Sequence, residues 1–298
     1  MAEKLTFTQK PSLGSVYFRV MFKGKSKLRK GESLPPMEAQ WMQALEEPAR
    51  LSAYRAICGY AEDGKLPLIY PYVKGAGMQI CLMAHPKFPL SPMGAVHARN
   101  HILQFRPIAQ DEPLDLLTLV GESRIVKQGL EFDTIIEGIA GKERVWECVS
   151  TYLMRGKHFG AAEATPARAV FPDLTDVNHE AGWAVSSDIG RRYARITGDY
   201  NPIHLYPLLA KLFGGFPKAI AHGMWSLAKC VANLPTPEAD RPIRLDVAFK
   251  GPVFQPSKVI LKANCTQTDR RFDLFCEGNP RPVAVGALYN SQPGEHLF

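Results

Sequence analysis

The sequence predicts an α+β chain built from two similar units, each a run of antiparallel strands with one long apolar helix. Three observations carry this. Short motifs recur in the same order in both halves, roughly 140–146 residues apart. In each half one apolar stretch of helical length precedes the strands. After it come runs rich in Val, Ile, Leu and Phe, separated by turn residues.

The repeat reads as follows. Pro217 precedes Gly223-Met224 by the interval at which Pro71 precedes Gly77-Met78. Phe105-Arg-Pro-Ile-Ala-Gln110 answers Lys250-Gly-Pro-Val-Phe-Gln255. Phe132-Asp-Thr-Ile-Ile-Glu-Gly138 answers Phe272-Asp-Leu-Phe-Cys-Glu-Gly278. Two copies mean a duplicated domain rather than a solenoid. The first unit is expected over 1–155, a linker over 156–175 and the second unit over 176–298.

In the first unit a helix is expected at 74–84, where Gly77-Met-Gln-Ile-Cys-Leu-Met-Ala84 is continuously apolar but for one glutamine. Strands follow at 96–105, 114–121, 130–138 and 143–154, with Gly141-Lys-Glu-Arg144 as a turn. The linker has neither strand nor helix periodicity. In the second unit Asp188 can cap a helix over 189–196, with Ile189, Tyr193 and Ile196 on one face. Gly198 suits its C-terminus. Asn201-Pro202 makes a turn, and Pro207 opens a short helix over 207–213 that Gly214-Gly215 stops. The second apolar helix is 222–233. Strands follow at 243–250, 258–265, 270–277 and 282–289, and Glu277-Gly-Asn-Pro-Arg-Pro282 is a turn cluster.

Composition narrows the function. The chain has 298 residues, 46% hydrophobic and 22% charged, as in ordinary globular proteins. No stretch reaches the ~18 apolar residues of a membrane helix. Met1-Ala-Glu-Lys-Leu-Thr-Phe7 has no signal-peptide pattern. Cys58, Cys81, Cys148, Cys230, Cys265 and Cys276 show no Cys-x-x-Cys or zinc spacing. Buried, inert thiols in a cytoplasmic protein are expected. Net charge is +7, which suits a polyanionic small molecule, a nucleic acid or a membrane surface. The basic run Lys23–Lys30 lacks aromatic interleaving or a nucleic-acid motif, so it reads as a solvated loop, and no nucleic-acid partner is expected. His97 and His101 sit at i, i+4 in a strand, on one face, and read as packing or surface residues rather than metal ligands.

The chemistry concentrates in Tyr193–His204 and Gly215–Met224. Asp199 and His204 bracket one tight loop and can point at one spot, as a general acid/base pair requires. His222-Gly223 stands where an apolar helix begins. Unpaired amides and a partial positive charge collect there. Glycine lets a carbonyl come close, so the Gly223 amide is a candidate oxyanion donor.

Gly198-Asp-Tyr-Asn-Pro-Ile-His204 followed by Ala221-His-Gly-Met224 resembles the hydratase motif of the MaoC-like dehydratases, the (R)-specific enoyl-CoA hydratase family. The resemblance implies a hotdog fold, a curved antiparallel sheet wrapped around a central helix. The repeat then implies a double hotdog. It also implies reversible hydration of trans-2-enoyl thioesters, and dehydration of (R)-3-hydroxyacyl thioesters, with Asp199 and His204 sharing one water. Gly223 would stabilise the oxyanion and Asn201 would orient the loop. His222, Arg191, Arg192 and Lys218 become substrate-binding candidates, with Lys229 and Lys250 among the other bases near the site. No metal and no cofactor beyond the coenzyme A of the substrate are implied, and a homodimer is compatible with the fold. Many relatives carry an acid two positions after the histidine; here it is Tyr206, expected to face the protein. The first unit has Ala76 where the second has His222, and lacks the motif, so one site per chain is expected. Rival readings are a dehydratase of acyl-carrier-protein thioesters, a thioesterase, and a non-catalytic acyl-CoA-binding protein.

Overall fold

The structure, a computed structural model, describes residues 3–14, 16–17, 20, 28, 32–45, 47–156, 171–236, 241–292 and 294–297. Most of the basic run at 23–30 and of the linker at 156–175 lies outside the described residues. The first half contains β1 (Glu3–Phe7), β2 (Met37–Ala44), α1 (Pro48–Cys58), α2 (Tyr70–Ala84), β3 (Ala95–Gln104), β4 (Leu114–Val126), β5 (Gly129–Ala140) and β6 (Glu143–Arg155). The second contains β7 (His179–Val185), α3 (Ile189–Thr197), a 3₁₀ turn (Pro202–His204), α4 (Pro207–Gly214), α5 (Gly223–Ala232), β8 (Ile243–Phe249), β9 (Ser257–Cys265), β10 (Asp269–Cys276) and β11 (Ala284–Asn290).

The strands form one sheet in the order β1-β2-β4-β5-β6-β3-β8-β11-β10-β9-β7. Leaving out β1, the two halves are mirror copies. In each, the unit's own first, third, fourth and fifth strands run inward from the edge, and its second strand lies at the centre. The halves join where β3 pairs antiparallel with β8, from Arg99 opposite Ala248 to Gln104 opposite Ile243. Among the described strands only β1, parallel to β2, departs from the antiparallel pattern. This is the expected double hotdog, α2 and α5 being its two central helices. The repeated Phe132 and Phe272 occupy the fourth strand of each unit, are 1% and 0% exposed, and both belong to the main buried core.

α2 is buried along nearly its whole length, including Val73, Met78 and Leu82. It packs close to β5 at Gly75, where an added Cβ would stand 2.9 Å from the Ile136 side chain. Burial of this apolar face is the main stabilising term, at about 25 cal/mol per Å². Across the join, Trp225 of α5 donates its indole hydrogen to the Ile57 carbonyl of α1 at 3.0 Å.

Four expectations change. α2 begins at Tyr70, not 74, with Pro71 in its first turn, so Gly77 lies about two turns inside the helix. β2 and β7 escape the sequence reading because Met-Glu-Ala-Gln and Ala-Gly give little β preference. His97 and His101 do not share a face: a bulge between His97 and Arg99 inserts one residue and reverses the alternation. His97 therefore faces the cavity described below, while His101 pairs through Nδ1 with Asp246 at 2.6 Å. Asp188 stands at the N-cap of α3, but its side chain accepts from Ser186 Oγ and does not cap the helix.

Candidate active site

α3 ends at Gly198, whose φ of 87° is the left-handed turn glycine adopts without strain. That turn aims Asp199 back across the helix end. Pro202–His204 then forms the 3₁₀ turn, started by Asn201, whose Oδ1 accepts from the Ile203 amide at 3.4 Å. The Ile220 amide donates to the Ile203 carbonyl at 3.1 Å and the Ala221 amide to Val253 at 2.8 Å. These bonds carry the chain to His222, the residue before α5. Asp199, His204 and His222 converge, one ligand-type atom of each lying within 4.8 Å of the others.

The hydrogen bonds assign the tautomers. His204 Nδ1 lies 2.8 Å from the Ile220 carbonyl, which can only accept, so Nδ1 carries the hydrogen and Nε2 the lone pair. His222 Nε2 donates to the Asp199 carbonyl at 3.0 Å. His222 Nδ1 is buried without a partner. The two rings stack with centroids 3.8 Å apart. Asp199 Oδ1 accepts from the Tyr17 hydroxyl at 2.6 Å and from the Asn201 amide at 3.2 Å, and Oδ2 lies 3.7 Å from His222 Nε2. The cluster is within reach of a cation by distance, but His222 has spent one nitrogen on a carbonyl and its other has no exposed surface.

The charges follow from burial. Desolvation pushes His204 down to about 3, aided by its neighbour His222 and opposed by Asp199. Desolvation likewise lowers His222 against the pull of Asp199. For Asp199 burial works upward, but His222, His204, the Tyr17 hydroxyl and the Asn201 amide together hold it below the usual carboxylate range. Its side chain is 36% exposed, and that exposure is to the cavity it lines. At neutral pH the site is thus one carboxylate beside two neutral imidazoles.

The cavity holds about 490 Å³ and runs between the two halves. Asp199, Asn201, His204, His222 and Gly223 line it from the second half; Tyr72, Ile80, His97 and Tyr152 line it from the first. Gly223 opens α5, where first-turn amides have no acceptor within the helix. Arg191, Arg192 and Lys218 are not among the lining residues. Arg191 instead donates to the Leu205 carbonyl at 2.9 Å and covers the Tyr206 ring. Arg192 and Lys218 are exposed. The bases that do line the cavity are Lys250 and Arg155. Tyr206 is 52% exposed rather than facing the protein, because α4 starts immediately after it and turns it outward.

Sequence reasoning missed Tyr17, His97, Arg155 and Gln255. The Gln255 amide group bridges α3 and the 3₁₀ turn, accepting from the Gly190 amide at 3.2 Å and donating to the His204 carbonyl at 3.3 Å. The repeat had flagged Gln255, but not its task. The six cysteines form no disulfide with one another. Cys58, Cys148 and Cys230 are buried, and burial pushes the first two up to about 12, whereas the other three are only partly covered. No helix among the described residues is long and apolar enough to cross a membrane.

With this geometry, likeness to known proteins becomes specific. Residues 174–279, which hold the Asp199–His204 loop and the start of α5, match the MaoC like domain family. The chain is 34% identical over 211 residues to 3-hydroxyacyl-thioester dehydratase X of Mycobacterium tuberculosis, spanning 71% of this chain and 74% of that protein. To dehydratase Y of the same organism it is 28% identical over 140 residues, 45% and 48% of the two chains. A crystal structure of HtdX from M. tuberculosis superposes with a TM-score of 0.72 at 29% identity, over 85% of this chain and 100% of that one. A MaoC-like dehydratase of Phytophthora capsici shares the fold, with a TM-score of 0.64 at 19% identity, over 87% and 96% of the two chains. The site loop, the duplicated strand order and the identity across both halves converge on one assignment: the chain belongs to the MaoC-like dehydratase family.

Proposed function

We propose that the protein interconverts (R)-3-hydroxyacyl and trans-2-enoyl thioesters, with coenzyme A as carrier, at one site per chain formed by Asp199, His204 and Gly223. The supporting observation is the meeting of a carboxylate, an imidazole with a free Nε2 lone pair and a helix start in one cavity. The relatives named 3-hydroxyacyl-thioester dehydratases support the substrate class.

Protonation dictates the steps. Asp199 and His204 Nε2 are both acceptors, so a water between them donates one hydrogen to each and turns its lone pairs outward. In hydration that lone pair attacks Cβ, and His204 Nε2 takes the proton released. The imidazolium is favoured by the Asp199 charge and by the Ile220 carbonyl on Nδ1. Meanwhile the electron pair of the Cα–Cβ double bond moves onto the thioester oxygen, where the Gly223 amide donates to it. Collapse of the enolate takes the His204 proton to Cα. Dehydration is the reverse. Lys250 and Arg155, the bases that line the cavity, are the groups this reading assigns to the phosphates of coenzyme A.

Asp199→Asn and His204→Ala each lower crotonyl-CoA hydration by about 10²–10⁴-fold, with the melting temperature retained. Wild-type turnover in both variants would refute the assignment. Presenting one acyl group on coenzyme A and on an acyl-carrier protein identifies the carrier, and product stereochemistry tests the (R) assignment.

A further inference from the structure

We propose that Tyr17 is a positioning residue that fixes the Asp199 carboxylate from the N-terminal segment, so that the site in the second half is completed by the first. The inference rests on Asp199 being the working carboxylate.

Three observations lead to it. First, the Tyr17 hydroxyl donates to Asp199 Oδ1 at 2.6 Å across 182 positions of sequence. Burial and the adjacent carboxylate push the phenol well above its ordinary value, so it keeps its hydrogen and acts as donor. Second, the two oxygens of Asp199 divide their work. Oδ1 takes both the Tyr17 hydroxyl and the Asn201 amide, while Oδ2 is left near His222 Nε2. Fixing one oxygen with two donors fixes where the other points. Third, the segment is seated rather than draped. Leu13, Val16, Tyr17 and Val20 form a small apolar cluster with Ala84 at the end of α2. The Tyr17 amide bonds the Leu13 carbonyl at 2.8 Å. Leu13 itself lies where side chains are missing: an added Cβ at Gly198 would stand 3.4 Å from its Cδ1, and one at Gly77 would stand 3.6 Å away. Gly198 immediately precedes Asp199, so Leu13 packs beside the turn that aims the carboxylate.

Other groups around Asp199 would remain when Tyr17 is changed. His204 and His222 face it closely. Tyr72 from α2, His97 from β3, Tyr152 from β6 and Tyr193 from α3 lie further off and are electrostatically coupled to it. A shift seen on removing the hydroxyl alone is therefore read against an otherwise constant background.

The test is Tyr17→Phe, assayed with crotonyl-CoA across the pH range in which the protein stays folded. A hydrogen bond to a charged group accounts for roughly a tenfold change. The expected result is kcat lower by about that factor, KM within about twofold, and the acid limb of the kcat profile moved to higher pH. A packing role alone would lower the melting temperature and leave the limb in place. A wild-type kcat and limb in Tyr17→Phe, while Asp199→Asn is inactive, overturns the proposal and leaves the site assignment standing. An active Asp199→Asn overturns the assignment itself, and the proposal with it. A second measurement needs no change at Tyr17. A charge-assisted phenol hydrogen gives a strongly deshielded proton resonance in the wild-type protein, which moves upfield in Asp199→Asn. Its absence from the wild-type spectrum overturns the proposal.

Discussion

Gly190→Ala is expected to damage catalysis from a residue that touches no substrate. Gly190 is in the first turn of α3, where alanine ordinarily favours a helix over glycine by up to ~1 kcal/mol. Propensity alone predicts stabilisation. Packing predicts the opposite. A Cβ at Gly190 would lie well inside van der Waals contact of the His204 carbonyl oxygen and 2.8 Å from Gln255 Nε2. Ordinary carbon contacts need about 3.5–4 Å, so α3 and the turn carrying His204 must part by well over 1 Å. The crowding costs about 1–3 kcal/mol, which exceeds the propensity gain. It also breaks the Gln255 bridge that holds Gly190 to His204. A displacement of about 1 Å at a catalytic group costs on the order of 10²-fold in turnover. The assay is crotonyl-CoA hydration, with circular dichroism and thermal melting to establish folding. Gln255→Leu removes both bridging bonds without the clash and gives a smaller loss. A Gly190→Ala protein with wild-type kcat and an unchanged or raised melting temperature would refute the packing argument.

Other outcomes follow from the same geometry. Burial holds His204 at about 3, His97 at about 4 and His222 below its usual value. In the unfolded chain histidine titrates near 6.5. The unfolded state therefore gains protons first, and stability present above about pH 6.5 is lost as pH falls toward 4; thermal melting follows this, and His97→Gln makes the fall shallower. Gly223→Ala presses a methyl group to within 3.1 Å of the Phe249 ring and displaces the α5 start, lowering kcat about 10–100-fold with a modest change in melting temperature. Lys250→Ala and Arg155→Ala raise KM for coenzyme A thioesters more than for a truncated pantetheine thioester, whereas Arg192→Ala and Lys218→Ala have the smaller effect; steady-state kinetics on both substrates distinguishes the two pairs.

The fold was largely legible because its strands are apolar and its turns are punctuated by glycine and proline. Each predicted strand falls within a few residues of the observed one. What escaped was β1, α1 and the strand that opens each repeat, β2 and β7; Met37–Ala44 alternates correctly but in residues with little β preference. The site loop was legible because its geometry is local: Gly198, Asn201-Pro202 and His204 form one turn. Tyr17, Gln255 and His97 were not, for two physical reasons. Tyr17 and Gln255 reach Asp199 and His204 through contacts 182 and 51 positions apart, which no local spacing reveals. His97 reaches the cavity face because of a bulge, a one-residue event without a strong sequence mark. The basic candidates fared worst. Sequence proximity to the motif singled out Arg191, but its hydrogen bond to Leu205 spends it on holding the loop.

The early start of α2 sets a barrier to engineering the first half. There the residues that match the open loop before α5 are already wound into helix, from Tyr70 onward. Placing an aspartate and two histidines at the matching positions would supply the ionisable groups and still leave no free amide at Gly77, which sits mid-helix against Pro11 and Leu13. A second working site would require unwinding about two turns. That would also unseat the segment carrying Tyr17, so a gain in the first half would come at the expense of the existing site.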